Sequence, residues 1–135
     1  MTNQTADEHE TIAQILGLNE QLLQCIAEGD WEGYSKLCDP TLSCYEPESR
    51  GQLVEGMEFH RYYFEYGKPA SARNTTICSP HVRLMGEAAV VCYVRLIQAL
   101  DDAGKHVTPR FEETRVWQRQ DNVWRHVHFH RSASA

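Results

Sequence analysis

The sequence predicts an α+β domain in which N-terminal helices pack in the concave face of a curved, mainly antiparallel sheet. Two observations support this prediction. Apolar residues recur at helical spacing in the first part of the chain, and they alternate with polar residues in the second part. Short turn-like connections also separate the alternating segments, and such turns join antiparallel neighbours.

The composition is that of one globular domain. Of the 135 residues, 41% are hydrophobic and 24% are charged, and the formal net charge is −6. This charge argues against binding to nucleic acid, because neutralising phosphates requires a concentrated basic surface. No apolar run approaches membrane-spanning length, and the acidic start lacks the features of a secretory signal. We therefore expect a cytoplasmic protein with neither nucleic acid nor a membrane as a partner.

The cysteines indicate a reducing compartment. There are five of them, an odd number, and no two stand in a CxxC motif. This pattern argues against a disulfide framework and against a zinc ribbon. We expect the cysteines to be reduced, mostly buried thiols.

Helical periodicity occurs in three segments. The first predicted helix spans roughly Thr11–Glu28 and ends at Gly29, a residue typical of helix C-termini. Asp30 is the expected N-cap of a second helix, Trp31–Leu37. A third helix is predicted from Leu53 to Tyr66, before a Gly-Lys-Pro segment that ends it.

Alternation with a period of two marks the strands. The predicted strands are Thr41–Tyr45, Ala72–Met85, Ala88–Ala99, His106–Gln118 and Val123–Ser132. The short turns between the last four predict an antiparallel meander. We expect residues 1–10 to form a flexible N-terminal segment, residues 11–132 to form the domain and residues 133–135 to form a short tail.

An arginine lies on the apolar face of each of three neighbouring predicted strands. Alternation places Arg95 beside Tyr93, Arg115 beside Glu113, and Arg131 on the same side of the last strand as its aromatic residue. A buried guanidinium remains charged and is costly unless an anion meets it. The three arginines are therefore the main candidate functional residues.

Two interpretations of these arginines remain open at this point. They can pair internally with acidic residues and only specify the packing; the available acids are Glu46, Glu48, Glu112 and Glu113. Alternatively, they form the floor of a pocket for a small carboxylate or a peptide carboxylate. His60 lies on the apolar side of the third predicted helix. Such a histidine is usually a core residue, but it would be a hydrogen-bond partner if it faced this pocket.

The sequence contains no independent metal or catalytic motif. Alternation places His126, His128 and His130 on one face, where rings about 7 Å apart offer two metal ligands at most. We therefore expect no metal site and no cofactor. Cys92 lies opposite Arg95 with no histidine placed beside it, and no nucleophile elbow, phosphate-binding glycine loop or HExxH motif occurs.

Four segments carry a family resemblance: CDPTLSCYEPES, LVEGMEFHR, EETRVW and VHFHRS. In this order they resemble the association (hub) domain of calcium/calmodulin-dependent protein kinase II, and the likeness extends from about Ile12 to Ser132. The wider superfamily is the nuclear-transport-factor-2-like (NTF2-like), or SnoaL-like, group of cone-shaped α+β folds. One departure is the segment YGKPASARN, which is shorter than the family's corresponding loop and lacks its tryptophan.

The resemblance implies a subunit of a closed, two-layered homo-oligomeric ring that meets its neighbours through the outer sheet surface. It also implies a deep pocket with arginines at Arg95, Arg115 and Arg131 and a histidine at His60. In this family the pocket takes small carboxylates of the γ-hydroxybutyrate type. We expect Glu113 and Tyr93 to belong to the same pocket.

Three functions are compatible with the residues and with this resemblance. The favoured one is self-association into an oligomer. The second is a SnoaL-like isomerase, dehydratase or cyclase that uses the same pocket. The third is a sensor in which a bound anion changes the stability of the ring. We expect neither a kinase catalytic domain nor a calmodulin-binding segment, and therefore no phosphorylation and no enzyme activity.

Overall fold

The secondary structure follows the predicted order of helices first and long strands last. The structure is a computed structural model that describes residues 2–67 and 72–133. Its helices are α1 (Thr2–Glu28), α2 (Trp31–Leu37) and α3 (Glu58–Tyr66), with a 3₁₀ turn at Pro47–Ser49. Its strands are β1 (Cys38–Tyr45), β2 (Val54–Glu55), β3 (Asn74–Met85), β4 (Ala88–Leu100), β5 (His106–Val107), β6 (Arg110–Gln120) and β7 (Val123–Ala133).

One curved sheet contains all the strands of the described chain, in the order β2-β1-β7-β6-β4-β3, with β5 paired to β4. The meander predicted for the long strands is confirmed, because β3, β4, β6 and β7 are antiparallel neighbours. The sequence did not predict that β1 would pair in parallel with β7. This pairing joins the N-terminal part of the chain to the last strand and places residues of both beside the same cavity.

The junction between the first two helices forms as predicted. Helix α1 ends at Glu28, and Gly29 adopts a positive φ of 69°, which glycine reaches without a steric penalty. The Asp30 side chain accepts a hydrogen bond from the Gly33 amide at 3.0 Å and so caps α2. The bounds of α2 are those predicted.

Several other boundaries differ from the prediction. Helix α1 begins at Thr2 rather than Thr11, because apolar periodicity marks the packed face of a helix and not its full length. Helix α3 begins only at Glu58, after the short strand β2. The segment predicted as one strand from His106 is divided into β5 and β6. Residues 68–71 and 134–135 lie outside the described residues; they include four of the nine residues of the segment YGKPASARN and the end of the predicted tail.

The hydrophobic core lies between the helices and the concave face of the sheet. It includes Ile15 and Leu22 from α1, Tyr34 from α2, and Trp117 from β6, all buried. The Trp117 indole Nε1 donates to the Asn19 Oδ1 at 3.1 Å, which satisfies both polar groups inside the core. No helix in the described ranges is long and apolar enough to span a membrane.

A β-bulge in the last hairpin changes which residues face the core. The register of β6 and β7 passes from Val116 opposite His128 to Trp117 opposite His126, so Val127 is an extra residue on β7. His126 therefore shares the buried face with Trp117. The prediction that His126 lies on the same face as His128 and His130 is wrong, because strict alternation fails across a bulge.

Candidate functional site

The structure brings the three predicted arginines together at one cavity. Arg95 from β4, Arg115 from β6 and Arg131 from β7 line a space of about 340 Å³, together with His60 from α3. The aromatic walls include Tyr34, Phe111 and Phe129. Because β4, β6 and β7 are adjacent and all three arginines face inward, their guanidinium groups converge at one end of the concave face.

Glu113 pairs with two of these arginines but, like Tyr93, is not among the residues that line the cavity. Its Oε2 lies 2.6 Å from Arg95 Nη2, and its Oε1 accepts from Arg115 Nη2 at 3.0 Å. The Tyr93 hydroxyl donates to the same Oε1 at 2.6 Å and accepts from Arg115 Nε at 2.9 Å. Burial alone would raise the pKa of Glu113, but the charges of Arg115 and Arg95 outweigh this effect and lower it. Glu113 is therefore an anion held between two cations.

Arg131 is paired separately at the outer part of the cavity. Its Nη2 donates to Glu46 Oε1 at 3.1 Å and to Glu48 Oε2 at 2.7 Å, and its guanidinium lies 4.8 Å from the Phe111 ring centroid. Burial opposes the charge of Arg131, but the two carboxylates outweigh it and raise the pKa. Of the four acids considered from sequence, Glu112 does not take part; it is largely exposed beside Arg110.

The charges are unevenly distributed along the cavity. Two arginines share the single carboxylate of Glu113, whereas Arg131 alone faces two carboxylates. In the part of the chain that the structure describes, the Nε of Arg95 and the Oε2 of Glu113 are buried without a hydrogen-bond partner, although this oxygen lies 2.6 Å from Arg95 Nη2 as an ion pair. The ion pair between Arg95 and Glu113 does not satisfy the Nε donor. The inner end is therefore positive and has an unused hydrogen-bond donor, which suits an anion.

His60 lies between the two charge systems. It is 5% exposed, and its Nδ1 lies 3.4 Å from Glu46 Oε2. Its Nε2 lies 3.7 Å from the sulfur of Cys44 on β1. Burial lowers the pKa of His60 and the charge of Arg115 lowers it further, although Glu46 opposes both effects. The imidazole is consequently neutral near pH 7 and can both donate and accept a hydrogen bond.

His126 does not line the cavity, but it is a buried partner of Arg115 that the sequence reasoning missed. It is fully buried, its Nε2 accepts from Arg115 Nη1 at 3.3 Å, and its Nδ1 lies 3.5 Å from Cys38 Sγ. Burial, followed by the charge of Arg115, holds the pKa of His126 well below its usual value of 6.5. A signal was present in the sequence: counting alternation from Trp124 places His126 inward, whereas counting from Arg131 places it outward, and only a bulge reconciles the two.

The thiols near the cavity are not activated. Burial raises the pKa of Cys44 to about 12, and it raises the pKa of Cys38 to about 12 as well. Both residues are therefore protonated at neutral pH and are poor nucleophiles. All five cysteines are free in this structure.

Comparison with known proteins agrees with this architecture. Residues 11–135 match the family model of the calcium/calmodulin dependent protein kinase II association domain. The Drosophila melanogaster calcium/calmodulin-dependent protein kinase type II alpha chain is 54% identical over 125 residues, which cover 90% of this chain and 24% of that protein. The chain thus spans about a quarter of the length of the curated relatives that it matches.

Solved structures show the same relationship. The association domain of C. elegans CaMKII is 41% identical and superposes with a TM-score of 0.87, covering 93% of this chain and 98% of that one. An NTF2-like protein from Cytophaga hutchinsonii, at 22% identity and a TM-score of 0.75 over 90% of this chain and 97% of its own, shares the fold. The predicted NTF2-like α+β fold is confirmed. The chain belongs to the calcium/calmodulin-dependent protein kinase II association domain family.

Proposed function

We propose that this domain self-associates through the outer face of its sheet into a closed, two-layered homo-oligomeric ring. Family membership supports self-association, because the matching family is defined as an association domain. The ring is the arrangement that the sequence resemblance implies. A closed ring requires a large complementary surface on each subunit, which in this chain would be the sheet face opposite the helices.

The outer face has the composition expected of such a surface. Its centre carries half-buried apolar side chains on β4 and β6, with polar residues of β3 and β7 around them. Val90 lies directly opposite Val116, and Cys92 lies opposite Thr114. No described helix packs there, because the core lies on the concave side. An apolar sheet face without a covering layer is typical of an interface.

Replacing Val90 with aspartate should dissociate the assembly. A carboxylate at the centre of an apolar interface is desolvated without a partner, and we expect a loss of about 2 kcal/mol or more at each contact. Size-exclusion chromatography with light scattering, or native mass spectrometry, measures the particle mass. The matched control is Val123→Asp, the same change at an exposed position of β7, which should keep the wild-type mass.

Two outcomes would contradict this proposal. A wild-type protein that is monomeric at micromolar concentration would refute self-association itself. An unchanged mass for Val90→Asp would show that the subunits meet elsewhere. Circular dichroism of the Val90→Asp protein distinguishes dissociation from unfolding. The substituted side chain projects away from the core, so a dissociated subunit should keep the wild-type spectrum.

We also propose that the cavity binds a small carboxylate beside Arg95 and Arg115, with Arg131 and His60 lining the same space. The observation that carries this proposal is the unsatisfied, buried Nε of Arg95 at the positive inner end of the cavity. A carboxylate there would offset the charge that Glu113 leaves uncompensated. Such a ligand would also offset part of the free-energy cost of burying the arginine charges.

Binding of 4-hydroxybutyrate should raise the melting temperature, whereas the uncharged analogue 1,4-butanediol should not. Saturation at about a hundred times the dissociation constant corresponds to roughly 2.7 kcal/mol of stabilisation. Arg95→Lys keeps the charge but removes the Nε donor, and it should weaken binding about tenfold. Arg119→Lys is the control, since Arg119 pairs with Glu87 on the surface. Equal binding of the diol, or full affinity in Arg95→Lys, would contradict the proposal.

The enzymatic alternative has less support from the electrostatics. A general base needs a pKa near the working pH. The pKa of Glu113 is lowered by Arg115 and Arg95, and Glu46 and Glu48 are paired with Arg131. Glu113 is therefore a weak base, and Arg131 occupies Glu46 and Glu48, so we propose binding without turnover.

A further inference from the structure

Three different metal-ligating side chains meet at the border of the cavity. Cys44 is near the end of β1, Glu46 follows that strand, and His60 projects from α3. A sulfur, a carboxylate oxygen and a ring nitrogen from these residues all lie within 4.8 Å of one another. Among the residues that the structure describes, no other group of three such side chains is this close. Glu46 and His60 also line the cavity itself.

The spacing of these atoms fits tetrahedral coordination. Cys44 Sγ lies 3.4 Å from Glu46 Oε2 and 3.7 Å from His60 Nε2. Glu46 Oε2 lies 3.4 Å from His60 Nδ1. A tetrahedral zinc ion with bonds of about 2.0–2.3 Å has ligand-to-ligand edges of roughly 3.3–3.7 Å. Glu46 approaches Nδ1 and Cys44 approaches Nε2, so a metal ion would bind one of these two nitrogens together with the sulfur and the carboxylate oxygen, which all lie within 4.8 Å of one another.

The surroundings hold the ligands in a suitable orientation. Arg131 Nη2 donates to Glu46 Oε1, which leaves Oε2 turned toward Cys44 and His60. Glu48 also pairs with Arg131 and so reduces the repulsion between that arginine and a nearby cation. Hydrogen bonds of this kind to the other oxygen of a ligand are what orient ligands in metal sites.

The chemical types of these three side chains indicate which class of metal ion they would bind. A thiolate and an imidazole favour zinc and related transition ions, whereas magnesium and calcium prefer oxygen donors alone. Binding would replace the thiol proton of Cys44, which is released to solvent, with a bond between sulfur and the metal. Three protein ligands leave the fourth position of a tetrahedron open, and Glu46 and His60 border the cavity that would supply this fourth ligand.

We propose that Cys44, Glu46 and His60 form a zinc site with an open fourth position facing the cavity. Sequence spacing did not indicate this site, because the ligands belong to β1, the turn after it and α3. Only His126, His128 and His130 were considered as metal ligands from sequence, and the expectation was that no metal site exists. The site shares His60 and the cavity with the proposed carboxylate site, but it uses none of the three arginines as a ligand.

Cobalt(II) titration of chelator-treated protein, in a non-thiol reductant and without added carboxylate, tests the proposal. The wild-type protein should bind one equivalent, develop a near-ultraviolet thiolate-to-cobalt charge-transfer band, and lose that band when zinc displaces the cobalt. Cys44→Ser should abolish the band and weaken zinc binding by roughly a hundredfold or more. The control Cys25→Ser removes a thiol on α1, where serine can keep the contact with Asp30, and it should keep both the band and the affinity.

A second variant keeps the test decisive if Cys44→Ser does not fold. Glu46→Gln leaves the thiol in place and should retain the band while weakening zinc binding at least about tenfold. The proposal is overturned if wild-type protein binds no tight equivalent at micromolar metal. It is equally overturned if the band persists in Cys44→Ser or disappears in Cys25→Ser. These results do not depend on binding of 4-hydroxybutyrate, so the failure of one proposal is distinguishable from the failure of the other.

Discussion

Glu113→Gln should destabilise the fold by about 3–5 kcal/mol. Glu113 is 2% exposed and is the shared counter-ion of Arg95 and Arg115. The amide keeps the shape of the side chain but removes its charge, so two buried guanidinium groups lose their compensating anion. Urea denaturation at a fixed protein concentration measures the change, because the apparent stability of an assembled protein depends on concentration.

Glu112→Gln is the matched control for this prediction. It makes the same chemical change one position away, on the other face of β6, where the side chain is exposed near Arg110. A surface ion pair contributes about 1 kcal/mol or less, so the loss should be small. If both variants lost the same free energy of unfolding, the charge of Glu113 would not be needed to compensate the buried arginines, and the prediction would be wrong.

The protein should lose stability as the pH falls below about 6.5, and His126 should be a main cause. Burial, followed by the charge of Arg115, lowers the pKa of His126 well below 6.5 in the folded state. In this window the unfolded chain binds the proton and the folded chain does not, so acid favours unfolding. The loss of stability caused by His126 is absent above the pKa of the unfolded state. It grows by up to about 1.4 kcal/mol per pH unit as the pH falls from there toward the pKa of the folded state.

His126→Gln isolates this contribution, because glutamine does not titrate and can still accept the hydrogen bond from Arg115 Nη1. Between pH 6.5 and pH 5, wild type should lose up to about 1.6 kcal/mol more than this variant. The comparison is made by urea denaturation across that range. His106→Gln, the same change at an exposed position of β5, should follow wild type. Identical pH profiles for wild type and His126→Gln would refute the prediction. His60, whose pKa burial also lowers, accounts for part of the remaining slope.

Local patterns were sufficient for most of the fold. The cap at Asp30 and the positive φ at Gly29 depend on neighbouring residues only, so the α1–α2 junction was predicted correctly. Short turns and period-two alternation were likewise sufficient for the β3–β4–β6–β7 meander. The parallel pairing of β1 with β7 was not predictable in this way, because it joins segments that are far apart in sequence.

The candidate site also has features that local patterns predict and features that they do not. The inward positions of Arg95 and Arg115 follow from alternation, because each residue of a regular strand determines the side of the next. Alternation failed at His126, where one extra residue on β7 reverses the faces. The acid that would meet each arginine was also undecided: Glu113 and Glu112 are adjacent in sequence, but one is buried between two cations and the other is exposed.

The sequence by itself therefore determined the class of fold, the family and the identity of the three inward arginines, because short-range periodicity and residue type encode these features. Only the tertiary structure decided how the charges pair, that His126 is buried against Arg115, and that Cys44, Glu46 and His60 lie together. These are contacts between distant segments, and their geometry depends on strand register, on bulges and on how α3 packs over β1. None of these can be determined from the residues within a single segment.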